Sequence, residues 1–312
     1  MTSEKIVVGV DIGGTNIRCA LARRDDPSGI IMRRSDKTPA DAGPEAVVAF
    51  IAREVALCLE EAGLEREAVV GVGCAAPGIT DAGAGVVISA ANLRGWRDVP
   101  LARLLEEKAG VAATIENDVK AAALGEFRYG AGKGRRSLVY MTVSTGVSAG
   151  IIIDGRVLRG HNHFAGEIAY LLGEPDHIGR DWGANGCLEL TSAGVGISRE
   201  WAAAHGDEAP SVSAAEVFAA ARAGDPVAVG IINRAGDYLA QAAVALCAII
   251  DPEVLVVGGG IAENEPALIE HISEVVQETV PFPPPVVRAA LGGDAPLIGA
   301  LALIAERSAI NR

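Results

Sequence analysis

Residues 8–16 read VGVDIGGTN, and this stretch decides the fold because it joins two predicted strands through a tight glycine turn. An apolar run predicts the first strand over residues 4–10, and an apolar pattern resumes after the turn. Gly13 and Gly14 allow the backbone to approach a ligand closely. The N–H groups of such a turn suit phosphate oxygens, and a carboxylate beside it, here Asp11, suits a magnesium ion. Taken alone, the same residues are also consistent with an ordinary Gly-Gly hairpin.

The composition is that of an acidic globular protein. The chain has 312 residues, of which 50% are hydrophobic and 21% are charged, and its net charge is −13. This length favours two domains, and the acidity argues against nucleic-acid binding, which needs clustered Lys and Arg. The five cysteines form no CxxC pair, which favours reduced thiols in the cytoplasm. The apolar window at residues 240–250 is too short to span a bilayer and no signal peptide is visible, so we expect a cytoplasmic protein without membrane contact.

The chain consists of two successive predicted α/β halves. Three consecutive strands, with a turn at residues 25–29, precede alternating helices and strands, and the pattern restarts near residue 138. We therefore expect an α/β protein with a mixed sheet, whose halves join near residues 117–135 and leave a cleft for a ligand. The predicted strands are 4–10, 15–22, 29–35, 69–74, 86–89, 111–116, 138–144, 147–154, 156–158, 253–257 and 286–291, and helices are predicted at 44–62, 101–109, within 214–250, at 266–279 and from 296.

Two further glycine turns occur in the second half. Residues 142–150 read TVSTGVSAG between two β-rich runs, which makes them a second candidate phosphate turn, with a polar hairpin as the alternative. Residues 256–261 read VVGGGI between a predicted strand and a helix, where the backbone can lie against a base or ribose. Their spacing is not GxGxxG, so a dinucleotide-binding fingerprint is not supported.

An acidic segment ends one strand of the first half. Residues 116–126 read ENDVKAAALGE, with a strand predicted to end at Glu116 and a helix predicted to start near Asp118. Asp118 is therefore expected at the carboxyl edge of the sheet, where a carboxylate can act as a general base in phosphoryl transfer. The alternative is that this residue only caps the helix.

Eight short motifs, spread in order over nearly the whole chain, resemble those of the ROK sugar kinases (repressor, open reading frame, kinase). The resemblance implies a two-domain actin/hexokinase-like (ribonuclease-H-like) α/β fold that closes over ATP–Mg²⁺ and a hexose. It implies a smaller domain of residues 1–117 plus 298–312 and a larger domain of residues 118–297. The motifs are DIGGT at 11–15, AAPG at 75–78, ENDVKAAALGE at 116–126, TVSTG at 142–146, AGE at 165–167, GCLE at 186–189, VGGG at 257–260 and GA at 299–300.

The resemblance also assigns roles to individual residues. It implies that Asp118 is the base that takes the proton of the sugar hydroxyl and that Asp11 holds magnesium. The residues implied to bind the sugar are Asn92, Asn117, Asp118, Glu167 and Glu189. The residues implied to bind phosphates and adenosine are Asp11, Gly13, Gly14, Thr15, Asn16, Ser144, Thr145, Gly146, Gly258, Gly259 and Gly260.

The chain departs from the family at the structural zinc site, which uses one histidine and three cysteines. Tyr170 stands where the histidine would be, and the segment RDWGANGC at 180–187 keeps only Cys187. One thiolate cannot make a tetrahedral site, so we predict no structural zinc and expect Trp182 to replace metal clamping by apolar burial. The alternative is a site rebuilt from nearby histidines, namely His161, His163 and His177.

These observations predict an ATP-dependent kinase that phosphorylates the C6 hydroxyl of a hexose, with glucose as the first choice. Alternative acceptors are N-acetylmannosamine, another amino sugar or fructose, and polyphosphate is an alternative donor. The resemblance implies a homodimer. A non-catalytic sugar sensor is less favoured because Asp11, Asp118 and both glutamates are present. A repressor is disfavoured because such proteins carry a helix-turn-helix before the kinase-like part, whereas ten residues precede Asp11 here.

Overall fold

A computed structural model of the chain describes residues 5–183, 185–206 and 212–310, without the side chains of 308–310. The described residues form two compact units: the first contains those within Met1–Gly130, Arg159–Phe164 and Asp294–Arg312, and the second contains those within Ala131–Leu158 and Ala165–Gly293. The strands are β1 Ile6–Ile12, β2 Asn16–Arg23, β3 Asp26–Lys37, β4 Val69–Ala76, β5 Ile79–Asp81, β6 Val86–Ser89, β7 Arg97–Val99, β8 Ala113–Asn117, β9 Leu138–Val143, β10 Val147–Ile153, β11 Arg156–Val157, β12 Leu255–Gly258 and β13 Val286–Arg288. The helices are α1 Pro44–Ala62, α2 Leu101–Ala109, α3 Asp118–Tyr129, α4 Cys187–Ser192, α5 Gly194–His205, α6 Ala214–Arg222, α7 Pro226–Ile250, α8 Gly260–Asn264, α9 Pro266–Thr279 and α10 Ala295–Ile310.

The main sheet of the first unit has the strand order β3-β2-β1-β4-β8. Its central strand β1 has the sequence IVVGVDI, and all seven residues are buried. β1 pairs antiparallel with β2 across the glycine turn and parallel with β4, which in turn pairs parallel with β8. The carboxyl ends of β1, β4 and β8 therefore lie at the same edge of the sheet.

Helix α10 packs against α3 and the first sheet through small residues. A Cβ atom on Gly299 would lie 1.8 Å from the backbone oxygen of Ala121, and one on Gly73 would lie 1.9 Å from that of Ala300. The backbones approach too closely here for any side chain larger than hydrogen. This packing explains the glycine at 299 in the motif at residues 299–300.

The sheet of the second unit repeats the arrangement of the first. Its order is β11-β10-β9-β12-β13, with antiparallel pairing between β9, β10 and β11 and parallel pairing between β9, β12 and β13. The predicted restart of the pattern near residue 138 and the mixed character of the sheets are thus confirmed. The apolar window 240–250 forms the end of α7, which packs against α4 and α9. Among the described residues, no helix combines the length and the apolar character that crossing a bilayer requires.

The turn predicted at residues 25–29 is shorter than expected and lies nearer the end of β2. The chain turns at Arg24 and Asp25, and β3 already begins at Asp26. Pro27 fits because β3 is an edge strand, where a missing N–H costs no ladder hydrogen bond. The Asp26 side chain accepts a hydrogen bond from the Gly29 N–H, and the pairing with β2 shifts register nearby, which lets turn-type residues lie within a strand.

The two units divide the chain differently from the boundary expected after residue 117. Helix α3 belongs to the first unit because it packs extensively against α10. Residues 159–164 also belong to the first unit, although the segments on either side of them belong to the second. The first unit is therefore built from three separate stretches of sequence.

Candidate active site

Polar residues gather at the carboxyl edge of the parallel strands in the first unit. Asp11 of β1 is paired in register with Ala75 of β4, which is paired with Glu116 of β8. One step further, Ala76 is paired with Asn117. Because these strands are adjacent and parallel, their ends place both acidic residues on one line across the sheet.

Asp11 is almost fully buried and interacts with one arginine. The Arg18 Nε and Nη2 atoms donate hydrogen bonds to Asp11 Oδ2 at 2.9 and 2.6 Å. Burial raises the pKa of the Asp11 carboxyl above its ordinary value, and the charge and hydrogen bonds of Arg18 act in the opposite direction. In the part of the chain that the structure describes, no hydrogen bond of Asp11 involves Oδ1. This oxygen is the one that could serve a cation.

The glycine turn after β1 is exposed and held from two sides. The Gly13 N–H donates to the Asn16 backbone oxygen at 3.0 Å, and Thr38 Oγ1 donates to the Gly13 backbone oxygen at 2.6 Å. Gly14 faces Asn92, whose Nδ2 atom would lie 3.0 Å from a Cβ atom at Gly14. The structure therefore brings the predicted phosphate turn and the predicted sugar residue Asn92 together.

Asn117, not Asp118, is the cap of helix α3. Its Oδ1 atom accepts a hydrogen bond from the Lys120 N–H at 3.0 Å, and its Nδ2 atom donates to the Gly78 backbone oxygen and to Asp118 Oδ1 at 3.0 and 2.9 Å. Asp118 Oδ1 also accepts the Val119 N–H at 2.9 Å. The cap alternative for Asp118 is therefore wrong, since its neighbour performs that role and also orients the Asp118 carboxylate.

A buried ion pair beneath this site was missed by the sequence reasoning. Glu116 has no exposed surface, and its Oε2 atom accepts hydrogen bonds from Arg159 Nε and Nη2 at 2.8 and 2.6 Å. Its other oxygen accepts the Asn117 N–H at 3.1 Å. Close by, Lys120 is buried and its Nζ atom donates to the His163 backbone oxygen at 3.3 Å. These contacts fix residues 159–164 to the elements that carry Asn117 and Asp118.

In the second unit, Glu189 lies directly on the turn between β9 and β10. A Cβ atom at Gly146 would lie 2.2 Å from Glu189 Oε2, and the same oxygen accepts the Val147 N–H at 3.2 Å. Asn185 Nδ2 donates to Glu189 Oε1 at 2.7 Å. The predicted phosphate turn Ser144–Gly146 and a predicted sugar glutamate are thus in contact, and a side chain at 146 would displace the carboxylate from this position.

The third glycine turn packs against the same region. Gly259 has a φ of 93°, and a Cβ atom there would lie 2.5 Å from the Val143 backbone oxygen. A Cβ atom at Gly260 would lie 3.6 Å from Ser144 Oγ. Gly258 pairs in register with Thr142. Residues 258–260 and the turn after β9 therefore form one continuous surface in the second unit.

Glu167 is held near the start of β10. The preceding Gly166 has a φ of 89°, and its backbone oxygen accepts hydrogen bonds from Ala149 N–H at 2.8 Å and Ser148 Oγ at 3.3 Å. Ser148 and Ala149 therefore secure this loop. Tyr170, three residues after Glu167, is 47% exposed. Both predicted sugar glutamates adjoin the first residues of β10.

The region around residues 175–187, which lacks most of the expected zinc ligands, is packed around one buried histidine. His177, at the end of the 3-10 turn Pro175–His177, is 6% exposed, and Cys187 at the start of α4 is 1% exposed. The His177 Nδ1 and Cys187 Sγ atoms lie 3.1 Å apart. Trp182 is half-buried and contacts the His177 ring edge-on, with ring centroids 5.0 Å apart. Its Nε1 atom donates to the His177 backbone oxygen at 3.2 Å.

Metal donors near His177 already have protein partners. One ligand atom each from Glu174, Asp176 and His177 lie within 4.8 Å of one another. Tyr238 donates a hydrogen bond to Glu174, and Arg180 forms an ion pair with Asp176. This donor set is not the histidine and three cysteines of the family. The absence of structural zinc stays a prediction.

Comparison with known proteins places this arrangement among sugar kinases. The chain is 35% identical to N-acetylmannosamine kinase from Citrobacter koseri, over 96% of this chain and 98% of that protein. The structure of a ROK hexokinase from Thermus thermophilus is similar with a TM-score of 0.82 and 36% identity, covering 98% of this chain and 100% of that one. The structure of a ROK family glucokinase from Streptomyces griseus in complex with glucose and AMPPNP has a TM-score of 0.77 and 31% identity, covering 96% and 98%.

The fold of these neighbours confirms the expected actin/hexokinase-like α/β architecture. The sequence model of the ROK family matches residues 7–307, almost the whole chain. This match spans both units, including the carboxyl edge of the first and the glycine turns of the second. The chain belongs to the ROK family.

Proposed function

We propose that this protein is an ATP-dependent sugar kinase that transfers the γ-phosphate of ATP to the C6 hydroxyl of a hexose, with glucose as the first choice. The observation that carries the proposal is the contact between Glu189 and the Ser144–Gly146 turn. A carboxylate that can accept a hydroxyl hydrogen bond there adjoins a turn whose N–H groups suit phosphate oxygens. The similar glucokinase structure with glucose and AMPPNP supports both substrates.

Asp118 is the proposed general base. As the sugar O6 forms a bond to the γ-phosphorus, its proton passes to the Asp118 carboxylate, and the bond between the γ-phosphorus and the β–γ bridging oxygen breaks to release ADP. The hydrogen bonds from Asn117 Nδ2 and the Val119 N–H hold one carboxylate oxygen in place. A base positioned in this way contributes about 10²- to 10⁴-fold to the rate.

The glycine turns and Asp11 would bind the nucleotide phosphates. The turn at Gly13, Gly14, Thr15 and Asn16 and the Ser144–Gly146 turn would donate N–H groups, and residues 258–260 would line the adenosine. Asp11 suits Mg²⁺ because this ion prefers carboxylate oxygens and the Arg18 hydrogen bonds occupy only Oδ2. When bound, the ion would neutralise negative charge on the phosphate oxygens.

Five side chains are the proposed sugar-binding residues. Asn92, Asn117 and Asp118 belong to the first unit, and Glu167 and Glu189 belong to the second. N-acetylmannosamine is a second candidate acceptor because a kinase for that sugar is 35% identical to this chain. Another amino sugar and fructose are further alternative acceptors. A non-catalytic sugar sensor is the alternative to a kinase. We also propose that the protein is cytoplasmic and forms a homodimer. Light scattering of the purified protein tests the homodimer.

A coupled ADP-release assay with ATP–Mg²⁺ and a panel of hexoses tests this function. We expect turnover with glucose that exceeds turnover with mannose, fructose, N-acetylglucosamine and N-acetylmannosamine. Turnover that is stronger with N-acetylmannosamine than with glucose would identify N-acetylmannosamine as the acceptor in place of glucose. Sugar binding without turnover on any member of the panel, with ATP or with polyphosphate, would contradict a kinase and favour a sensor.

Replacing the proposed base separates chemistry from sugar binding. Asp118→Asn should lower kcat by about 10²- to 10⁴-fold while the Kd for the sugar changes little, because the amide keeps the shape of the side chain but cannot take the proton. The matched control is Asp41→Asn, which changes an exposed loop carboxylate and should leave kcat unchanged. An Asp118→Asn variant with near-normal kcat would contradict the assignment of the base.

A further inference from the structure

Residues His177, Trp182 and Cys187 form a cluster that we call the His177 clamp. Trp182 contacts His177 twice, through its ring and through its Nε1 hydrogen bond to the backbone, and Cys187 Sγ lies 3.1 Å from His177 Nδ1. Burial raises the pKa of the Cys187 thiol above its ordinary value, and a thiol is a weak hydrogen-bond donor whose hydrogen bond an imidazole nitrogen can accept. The clamp thus joins the 3-10 turn at 175–177 to the first residue of α4.

Helix α4 needs such an anchor because it is short. It has six residues, less than two turns, and isolated helices of this length are unstable in water. Its entry is fixed by close packing, since a Cβ atom at Gly186 would lie 2.4 Å from the Ala169 backbone oxygen. Its third residue is Glu189, whose carboxylate reaches Asn185 and the Val147 N–H. A displacement of the start of α4 would therefore be transmitted to Glu189.

We propose that the His177 clamp positions Glu189 for sugar binding, so that His177 and Cys187 are positioning residues that act through α4. The inference rests on the proposed function, because it concerns the sugar-binding role of Glu189. It assigns a role to a contact between His177 and Cys187, the one cysteine that the segment at 180–187 retains.

The test compares paired substitutions at both ends of the contact. His177→Ala and Cys187→Ala remove it, whereas His177→Asn keeps a polar atom near Nδ1 and Cys187→Ser keeps a donor. We expect His177→Ala to raise KM for the sugar by about 10- to 100-fold, as small misplacements of a binding group do, with KM for ATP little changed. His177→Asn and Cys187→Ser should recover part of this loss. The control His205→Ala changes an exposed histidine and should leave both constants unchanged.

Hydrogen exchange gives a readout that does not need turnover. The Val147 amide is bound to Glu189, so His177→Ala should accelerate exchange in the peptides covering residues 144–150 and 186–192, and His205→Ala should not. Unchanged exchange there, or a lowered Tm with an unchanged KM for the sugar, would overturn the proposal. Stoichiometric zinc that is lost in His177→Ala would also overturn it, in favour of a metal site. A wild-type protein that phosphorylates no sugar would overturn the proposed function, and the exchange experiment would still decide whether the clamp holds Glu189.

Discussion

Replacing Arg159 with alanine tests whether the buried ion pair beneath Asn117 and Asp118 supports the site. Glu116 has no exposed surface, and both of its oxygens are engaged, one by Arg159 and the other by the Asn117 N–H. Arg159→Ala removes the charge partner and leaves the carboxylate buried. The expected loss of stability is therefore that of an uncompensated buried charge and not that of an ordinary surface ion pair.

The magnitude follows from how far water can reach the pair. Breaking a fully buried ion pair by removing one partner costs about 3–5 kcal/mol. The Arg159 side chain is 38% exposed, so water can partly replace it in the variant, and the lower end of that range applies, about 3 kcal/mol. We also expect a lower kcat, because Glu116 fixes the backbone of Asn117, which in turn holds Asp118.

Urea denaturation with tryptophan fluorescence measures this loss. Trp96 lies in the core of the first unit, so a Trp182→Phe, Trp201→Phe background makes the signal specific to the unit that contains the ion pair. The matched control is Arg103→Ala, whose partner Glu107 is exposed, and such pairs contribute less than about 1 kcal/mol. The double variant Glu116→Gln with Arg159→Ala removes both charges and should be more stable than Arg159→Ala alone.

Two results would refute this reasoning. The first is a loss of stability in Arg159→Ala no larger than that in Arg103→Ala. The second is a double variant whose loss of unfolding free energy exceeds the sum of the losses in the two single variants, since the charges would then not compensate each other. Either result would mean that Glu116 is not held as a buried charge by Arg159.

Three other outcomes are expected. Gly299→Ala should destabilise the protein by about 1–3 kcal/mol because the new Cβ atom meets the Ala121 backbone oxygen. Its control, Gly230→Ala in α7, places a Cβ atom with no atom within 4 Å and should stabilise the protein by about 0.5–1 kcal/mol. Equal shifts of Tm with the same sign in the two variants would contradict the packing of α10. Gly146→Ala should raise KM for the sugar, because its Cβ atom displaces the Glu189 carboxylate, and an unchanged KM in steady-state kinetics would show that Glu189 does not bind the sugar. Burial and the hydrogen bond to Glu174 raise the pKa of Tyr238 to about 12, so the native state holds this proton more tightly than the unfolded chain. The free energy of unfolding should therefore fall as pH rises from about 10 to about 12. Chemical denaturation at several pH values measures this fall, which should be smaller in Tyr238→Phe.

The sheets were largely predictable because their central strands are mostly apolar in sequence. β1 and β9 are almost wholly buried, and apolar periodicity identifies such strands together with the turns that end them. The edge strand β3 was placed less well. Pro27 and Gly29 are turn residues by local preference, but an edge strand tolerates both, and this tolerance depends on tertiary position rather than on the local sequence.

The parts of the site that escaped prediction are joined across long stretches of sequence. Arg159 reaches Glu116 and His163 reaches Lys120, each pair 43 residues apart, and no periodic pattern links them. The units also divide the chain after α3 and not before it, because the packing of α3 on α10 depends on small residues at 121 and 299 that only a structure brings together. Motif order assigned roles to residues, but it carried no information on what supports them.

The pair Asn117-Asp118 shows why geometry is needed even where a motif is recognised. Sequence alone allowed Asp118 to be either a helix cap or a base, since Asp and Asn both favour the cap position. In the structure the cap hydrogen bond to the Lys120 N–H comes from Asn117, and a second bond from the same amide goes to Asp118. Capping is thus assigned to Asn117, and proton transfer stays the proposed role of Asp118. Asn117→Ala should therefore lower helix stability and kcat together, whereas Asp118→Asn should lower kcat alone.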